Sequence, residues 1–211
     1  MQTVNTSRIP LDGRHLRSER SRSVIARSML DLVRETGQMP TTDAVADRAG
    51  VSRRSVFRHY ADVSELLTAA YELQREEAFR RFPRRDPSQW SPEERIMALS
   101  ERSSELYEYV SPVRRAAVYM SRDYPVLQHL LRGDDSVHRM IVIDLFAPSL
   151  EHRSDADASV LISALVAASG WATWEGLRRE QGLSVEVARA VVQNLMRGVL
   201  MVAKTGTPAT V

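Results

Sequence analysis

Apolar residues recur at steps of three and four along most of this chain, which is the spacing that places them on one face of an α-helix. The first run ends at Gly37 and contains Val24, Ile25, Met29, Leu32 and Val33. Two short runs follow, around Val45 and Val56, and a longer run extends from Asp62 to Phe82, where Pro83 bars continuation. The pattern therefore predicts four helices in this part of the chain.

The second half of the pattern begins after a break rich in proline and charge at residues 83–88. Helices are predicted from Ser91 to Val110, from Ser111 to Met120, over 126–131, from Asp134 to Leu150, from Asp155 to Glu180 and from Ser184 to Leu200. Pro112, Pro125 and Gly133 are expected to separate successive helices. Because no alternation of apolar and polar residues predicts a strand, the predicted fold class is all-α.

The composition bounds the chemistry. The 211 residues contain no cysteine, which excludes disulfides, cysteine-ligated zinc, iron–sulfur clusters and thiol catalysis. No nucleophile elbow, phosphate-binding loop or dinucleotide-binding motif occurs. The histidines His129 and His138 and the nearby Asp134 and Asp135 lack a recognised metal-ligand spacing. We therefore predict neither an enzyme nor a metal or cofactor site.

Charge is divided unevenly between the two ends of the chain. Lys204 is the only lysine, so 28 of the 29 basic residues are arginine. Residues 1–60 contain eleven arginines and six acids, a net charge of +5, whereas the remainder has 18 basic and 21 acidic residues, a net charge of −3. A basic head on a mildly acidic body is typical of a protein that meets a polyanion at one end. The alternative is a chance fluctuation in an arginine-rich chain.

No window of eighteen consecutive apolar residues and no apolar core of a signal peptide is present. We therefore expect a cytoplasmic protein without a transmembrane helix.

The tetrapeptide Ala49-Gly50-Val51-Ser52 joins the two short predicted helices. A small residue lets two helices approach, glycine adopts the left-handed turn, and a serine caps the helix that follows. This arrangement is typical of a helix-turn-helix, whose second helix lies in the DNA major groove. Arg53, Arg54 and Ser55 would then face base edges, the alternative being a solvated helix face.

The stretch from Thr41 to Leu67, TTDAVADRAGVSRRSVFRHYADVSELL, resembles the DNA-binding module of the TetR family of bacterial transcriptional regulators. The resemblance covers about Ser18 to Leu67, and the rest of the chain agrees only in length and helical character. It implies a helix-turn-helix domain at 18–65 and a helical ligand-binding and dimerisation domain at 66–204. Because residues 1–17 lack helical periodicity, we expect a flexible basic arm there, and we expect a frayed tail at 205–211. The DNA-binding residues that it implies are Thr41, Thr42, Ser52, Arg53, Arg54, Ser55, Phe57, Arg58 and His59.

Two positions depart from the family pattern. Phe57 replaces a tyrosine and lacks the hydroxyl that would reach a phosphate, and Val63 replaces a lysine at the start of the fourth helix. We expect Arg54, Arg58 or the N-terminal arm to compensate for these contacts.

The resemblance also implies a homodimer on a palindromic operator. The segment 155–180 is apolar nearly all round, which independently indicates burial on two sides. The expected interface residues are Leu161, Leu165, Ala168, Val191, Leu195 and Val199.

A small, largely apolar ligand is expected to release such a repressor from its operator. The candidate pocket residues are Met97, Tyr107, Tyr119, Met120, Met140, Trp171 and Trp174, the alternative for each being ordinary core packing. Two other classes remain open: a non-inducible or protein-regulated DNA-binding protein, and an all-helical enzyme or binding protein whose head is only a packing module.

Overall fold

The computed structural model describes residues 13–151 and 153–205, and the regular elements in these ranges are helices. The α-helices are α1 (Gly13–Thr36), α2 (Thr42–Ala49), α3 (Arg53–His59), α4 (Val63–Arg81), α5 (Pro92–Met120), α6 (Pro125–Phe146), α7 (Asp155–Ser169), α8 (Trp171–Glu175) and α9 (Val185–Thr205). A 3-10 turn (Ala147–Ser149) follows α6, and a π-helical turn (Gly176–Glu180) follows α8. The predicted all-α class is confirmed, because no strand occurs among these residues.

Both ends of the helical region differ from the expected boundaries. Helix α1 begins at Gly13, so the last five residues of the predicted arm are helical. Residues 1–12 and 206–211, which hold the rest of that arm and most of the predicted tail, lie outside the described residues.

Two predicted helix breaks are wrong. Pro112 lies inside the continuous helix α5 and Gly133 lies inside α6. Proline removes one backbone donor and glycine costs about 0.5–1 kcal/mol in a helix, but packing outweighs both local preferences. Around Pro112, α5 buries Ser111 and Val113 on its inner face.

The chain divides into two compact units, Met1–Gln74 and Arg75–Val211, with the division inside α4. The expected boundary was nine residues earlier, after residue 65. In the first unit the fully buried side chains belong to α1, α2, α3 and α4, and the largest are Ile25, Met29, Leu30, Val45, Tyr60 and Leu66.

The core of the second unit is built by α5, α6, α7, α8 and α9. Its fully buried side chains include Ile96, Phe146, Leu165, Trp174 and Met196. Several polar groups within this core are hydrogen-bonded. Tyr107 donates to the carbonyl of Ser169 at 3.0 Å, and Trp174 Nε1 donates to Glu108 Oε1 at 2.9 Å.

The apolar segment Asp155–Glu180 is long and apolar enough to cross a membrane by length and composition, with a mean hydropathy of 1.3. The segment was not identified in the sequence analysis, because polar residues interrupt its apolar run and no eighteen consecutive residues are apolar. The segment is not one straight helix, because Gly170 is extended between α7 and α8. A Cβ at Gly170 would lie 2.9 Å from the carbonyl oxygen of Val166, so the close approach there requires glycine. Leu165 and Trp174 of this segment belong to the core of the second unit.

His138 is held in its neutral form beside this core. Its Nε2 lies 3.1 Å from Ser169 Oγ, which itself donates to the carbonyl of Leu165 at 2.7 Å. Because the serine hydroxyl has one hydrogen, Nε2 is the donor of this pair. Burial lowers the pKa of His138 from 6.5 to about 4, with Arg102 and Arg114 lowering it further and Asp135 opposing them.

We predict that His138 makes the second unit less stable as the pH falls. The unfolded chain binds a proton near pH 6.5 and the folded chain only near pH 4, so stability is present above the unfolded pKa and is lost below it. Between about pH 7 and pH 5 the loss is about 2 kcal/mol. Urea denaturation of the wild type and of His138→Gln at both pH values measures this loss of unfolding free energy. The free energy of the variant should decrease less between pH 7 and pH 5 than that of the wild type.

The matched control for this measurement is His129→Gln, because His129 is exposed on the same helix. If this control flattens the pH dependence as much as His138→Gln does, the assignment to His138 is wrong.

Candidate nucleic-acid interface

The turn between α2 and α3 is set by local hydrogen bonds and one glycine. The Thr41 hydroxyl accepts from the backbone N–H of Ala44 at 3.1 Å, and the Ser52 hydroxyl accepts from that of Ser55 at 3.2 Å. Between the helices Gly50 adopts φ +67°, the left-handed region that favours glycine. The cap role predicted for Ser52 is confirmed, Thr41 caps α2 in the same way, and the two helices form a helix-turn-helix.

Helix α3 has one buried side and one exposed side. Val56 and Tyr60 point into the core of the first unit, where α2 contributes Val45. Arg53, Arg54, Phe57 and Arg58 are exposed, and Ser55 and His59 are half-buried. The predicted DNA-binding residues of α3 therefore lie on a continuous face of one short helix.

The arginines on this face differ in their contacts. Arg53 lies 3.4 Å from an Asp43 carboxylate oxygen, and Arg58 donates to the Ser55 hydroxyl at 3.3 Å. Arg54 makes no hydrogen bond or ion pair with any residue in 13–151 or 153–205. Its guanidinium is therefore available to a ligand without loss of an internal contact.

His59 is the last residue of α3. Partial burial lowers its pKa, and the positive charges of Arg58 and Arg22 lower it further.

Sequence reasoning missed Arg22, which connects α1 to the end of α3. Its guanidinium donates to the carbonyl of His59 and to Glu65 Oε1, the latter at 2.6 Å. Glu65 Oε2 accepts from the backbone N–H of Ala61 at 2.6 Å, and the Tyr60 hydroxyl donates to the carbonyl of Arg22 at 2.8 Å. No local pattern in the sequence singles out Arg22, since its partners are 37 to 43 residues away.

The start of α4 is capped by an acid. Asp62 Oδ1 accepts from the backbone N–H of Glu65 at 2.8 Å, and the helix begins at Val63. A carboxylate here satisfies an orphan donor and interacts favourably with the helix dipole.

The seven residues predicted to line a ligand pocket are scattered in the second unit. Tyr107, Met120 and Trp174 are buried and Trp171 is half-buried, whereas Met97, Tyr119 and Met140 are exposed. Three cavities of this unit, of about 230, 480 and 500 Å³, are lined by other residues. The indole groups of the predicted residues are already engaged, since Trp171 Nε1 donates to Ser111 Oγ at 2.9 Å and Trp174 Nε1 donates to Glu108.

The predicted interface residues of α7 are turned into the chain's own core. Leu161, Leu165 and Ala168 are buried there, so we correct their assignment to an intermolecular contact. A helix apolar on all sides does not reveal which side faces inward. On α9, Leu195 is 44% exposed and Val191 and Val199 are half-buried.

Among the histidine and acidic side chains in the described ranges, no group of three is arranged to hold a metal ion.

No family model matches the sequence, and no curated protein matches it. Solved structures do resemble it. A transcriptional regulator from Rhodococcus sp. Rha1 has a TM-score of 0.67 and 18% identity, covering 86% of this chain and 96% of that one. The multidrug binding protein EbrR, complexed with imidazole, has a TM-score of 0.62 and 19% identity, covering 96% of this chain and all of that one.

A TetR-family transcriptional regulator from Streptomyces coelicolor has a TM-score of 0.60 and 16% identity, covering 90% of each chain. At these identities the likeness shows a shared fold. The chain therefore has a TetR-like all-α fold, as the resemblance of residues 18–67 implied.

We predict that Gly50→Ala destabilises the first unit by about 1–2 kcal/mol, because alanine is strained at positive φ. No atom lies within 4 Å of the added Cβ, so the effect is conformational rather than steric. Guanidinium denaturation measures it. The matched control is Gly133→Ala inside α6, which has equal space and should gain about 0.5–1 kcal/mol. A Gly50→Ala protein as stable as the wild type would contradict the role of the turn.

Proposed function

We propose that this chain is a sequence-specific DNA-binding transcriptional regulator, and that it acts as a repressor. The observation that carries the proposal is the capped α2–α3 pair, which presents exposed arginines on the outer face of α3. The net charge of +5 in residues 1–60 favours the binding of a polyanion such as DNA to this face.

Each group on the face is assigned by its chemistry. Arg53, Arg54 and Ser55 lie at the N-terminal end of α3, the part of a recognition helix that contacts base edges in the major groove. An arginine fork donates two hydrogen bonds to the O6 and N7 atoms of guanine. Thr41, Thr42 and His59 suit phosphate contacts, which fix the orientation of the protein on the duplex.

The guanidinium of Arg54 has no partner in the described residues, which supports a role in replacing the phosphate contacts that Phe57 and Val63 cannot make. Arg53, by contrast, must leave Asp43 to reach a base. Because both members of that pair are more than 60% exposed, the exchange costs little.

Apolar side chains exposed on α7 and α9 support a homodimer. Val160 is 70% exposed, and Leu195, Met201 and Val202 are 44%, 67% and 73% exposed. Covering such side chains with a second copy removes them from water, at roughly 25 cal/mol per Å². A two-fold dimer places two recognition helices about one DNA turn apart, which matches a palindromic operator.

We further propose that a small molecule controls the affinity for DNA. A ligand that binds one conformation of the dimer better than the other shifts the population away from the DNA-binding state. EbrR, which shares the fold, is a multidrug binding protein. The regulator would work in the cytoplasm, where its DNA lies.

We predict that in vitro selection from a random duplex library, at near-physiological salt, enriches a palindrome. Arg53→Ala and Arg54→Ala should each cost about 1–3 kcal/mol and relax specificity at one position of each half-site. The control is Arg122→Ala, which removes an exposed arginine from the turn after α5 and should have no effect. Equal weakening on all sequences would make the residue a phosphate contact instead, and no enrichment at all would contradict the function.

We predict that Leu195→Arg converts a dimer into a monomer, because it would leave an unpaired charge buried in the interface. Since Leu195 is 44% exposed within one chain, the variant should still fold. Light scattering gives the molar mass and circular dichroism checks the helical content. Gln89→Arg, at an exposed position before α5, is the control. An unchanged dimer mass for Leu195→Arg would overturn the interface.

A further inference from the structure

A cavity of about 230 Å³ opens in the second unit at the end of α4. It lies between the segment leading to α5, the first half of α5 and the last turns of α6. Its walls include Phe82, Trp90, Ala98, Leu99, Arg102 and Ile141.

Part of this cavity is apolar. Phe82, Leu99 and Leu145 are buried, and Trp90, Ala98 and Ile141 are half-buried beside them. A hydrocarbon group of a ligand would be removed from water against these side chains.

Arg102 is the charged group that distinguishes the cavity. The side chain is half-buried, and its Nε donates to the carbonyl of Phe82 at 3.1 Å. Its two terminal nitrogens form no hydrogen bond or ion pair with the part of the chain that the structure describes. Burial lowers the pKa of Arg102, and the neighbouring charge of Arg84 lowers it further. A desolvated cation without a counter-ion is costly, so an anion placed beside it would be stabilised.

The acids that line the cavity do not supply that anion. Asp144 is already paired with Arg84. Glu101 and Glu105 follow one another by one turn of α5, and neither forms an ion pair with Arg102 in the described structure. Arg81 lies over the rings of Phe82 and Tyr109, at 5.7 and 5.3 Å, and adds positive charge at the rim.

We propose that this cavity binds a small organic carboxylate, whose oxygens accept hydrogen bonds from the terminal nitrogens of Arg102. The planar guanidinium matches a carboxylate with two parallel hydrogen bonds. The volume is below the roughly 300–1,000 Å³ typical of sites for drug-sized ligands, which favours an aromatic ring or a short chain. Binding of a carboxylate in this cavity does not depend on DNA binding by the protein. A role for this carboxylate as the molecule that controls DNA affinity rests on the proposed function.

Calorimetric titration of the full-length protein with 3-phenylpropionate, its amide and 3-phenylpropylamine tests the proposal. The three probes share one hydrocarbon group and differ in charge. We expect the carboxylate to bind at least about tenfold more tightly than the amide, and the amine not to bind.

Two variants test separately the contribution of the Arg102 charge and that of the cavity volume. Arg102→Gln should weaken binding of 3-phenylpropionate at least about tenfold, whereas Arg122→Gln, which removes a distant exposed arginine, should leave it unchanged. Ala98→Phe fills the cavity without altering its charge and should abolish binding. Thermal melts establish that each variant is folded before titration.

Several outcomes would overturn the proposal. Tighter binding of the amine would assign the cavity to Glu101 and Glu105. Equal binding of carboxylate and amide, an unaffected Arg102→Gln, or no binding of the carboxylate by folded protein at millimolar concentration would each exclude the carboxylate site. Because DNA selection is a separate measurement, its failure leaves this site standing, and failure of the site leaves the DNA-binding function standing.

Discussion

Helix α3 depends on tertiary contacts, because a helix of seven residues is too short to persist alone in water. Its buried side chains Val56 and Tyr60 anchor it in the core of the first unit, and Arg22 ties its last carbonyl to Glu65. Both ends of the helix are thus fixed, one by the Ser52 cap and one by this cation. Fixing the backbone leaves the exposed face free to vary in chemistry, so an arginine at position 54 costs the fold nothing.

The second unit stabilises a polar interior by pairing. Tyr107, His138 and Ser169 bond with one another or with nearby carbonyls, and Trp174 shares the Glu108 carboxylate with Arg178, 2.8 Å away. Buried polar groups without partners would cost more than these bonds contribute. The polar atoms of Tyr107, Trp171 and Trp174 are bonded to other residues of the unit, whereas the terminal nitrogens of Arg102 have no such partner among the described residues.

Features encoded by neighbouring residues could be predicted from the sequence. The cap at Ser52 and the turn at Gly50 depend on contacts within four residues, and the structure contains both as expected. Contacts between distant residues could not be predicted, such as those of Arg22 with Glu65. The side of α7 that faces the core could not be predicted either, because apolar residues occur on every side of this helix. Pro112 was misleading because the burial of its neighbours outweighs one lost hydrogen bond.

The arginines of this chain that form ion pairs with carboxylates have a structural role, whereas those without such a partner are available to ligands. Arg48, Arg115 and Arg197 bond to carboxylates at 2.7, 3.1 and 2.5 Å, and these exposed or half-buried pairs hold one helix to another. Arg54 and Arg102 have no such partner among the described residues. Arg54 is exposed, so water solvates its unpaired guanidinium. A half-buried arginine has lost hydration without gaining a carboxylate, so Arg102 carries the stronger physical requirement for an anion.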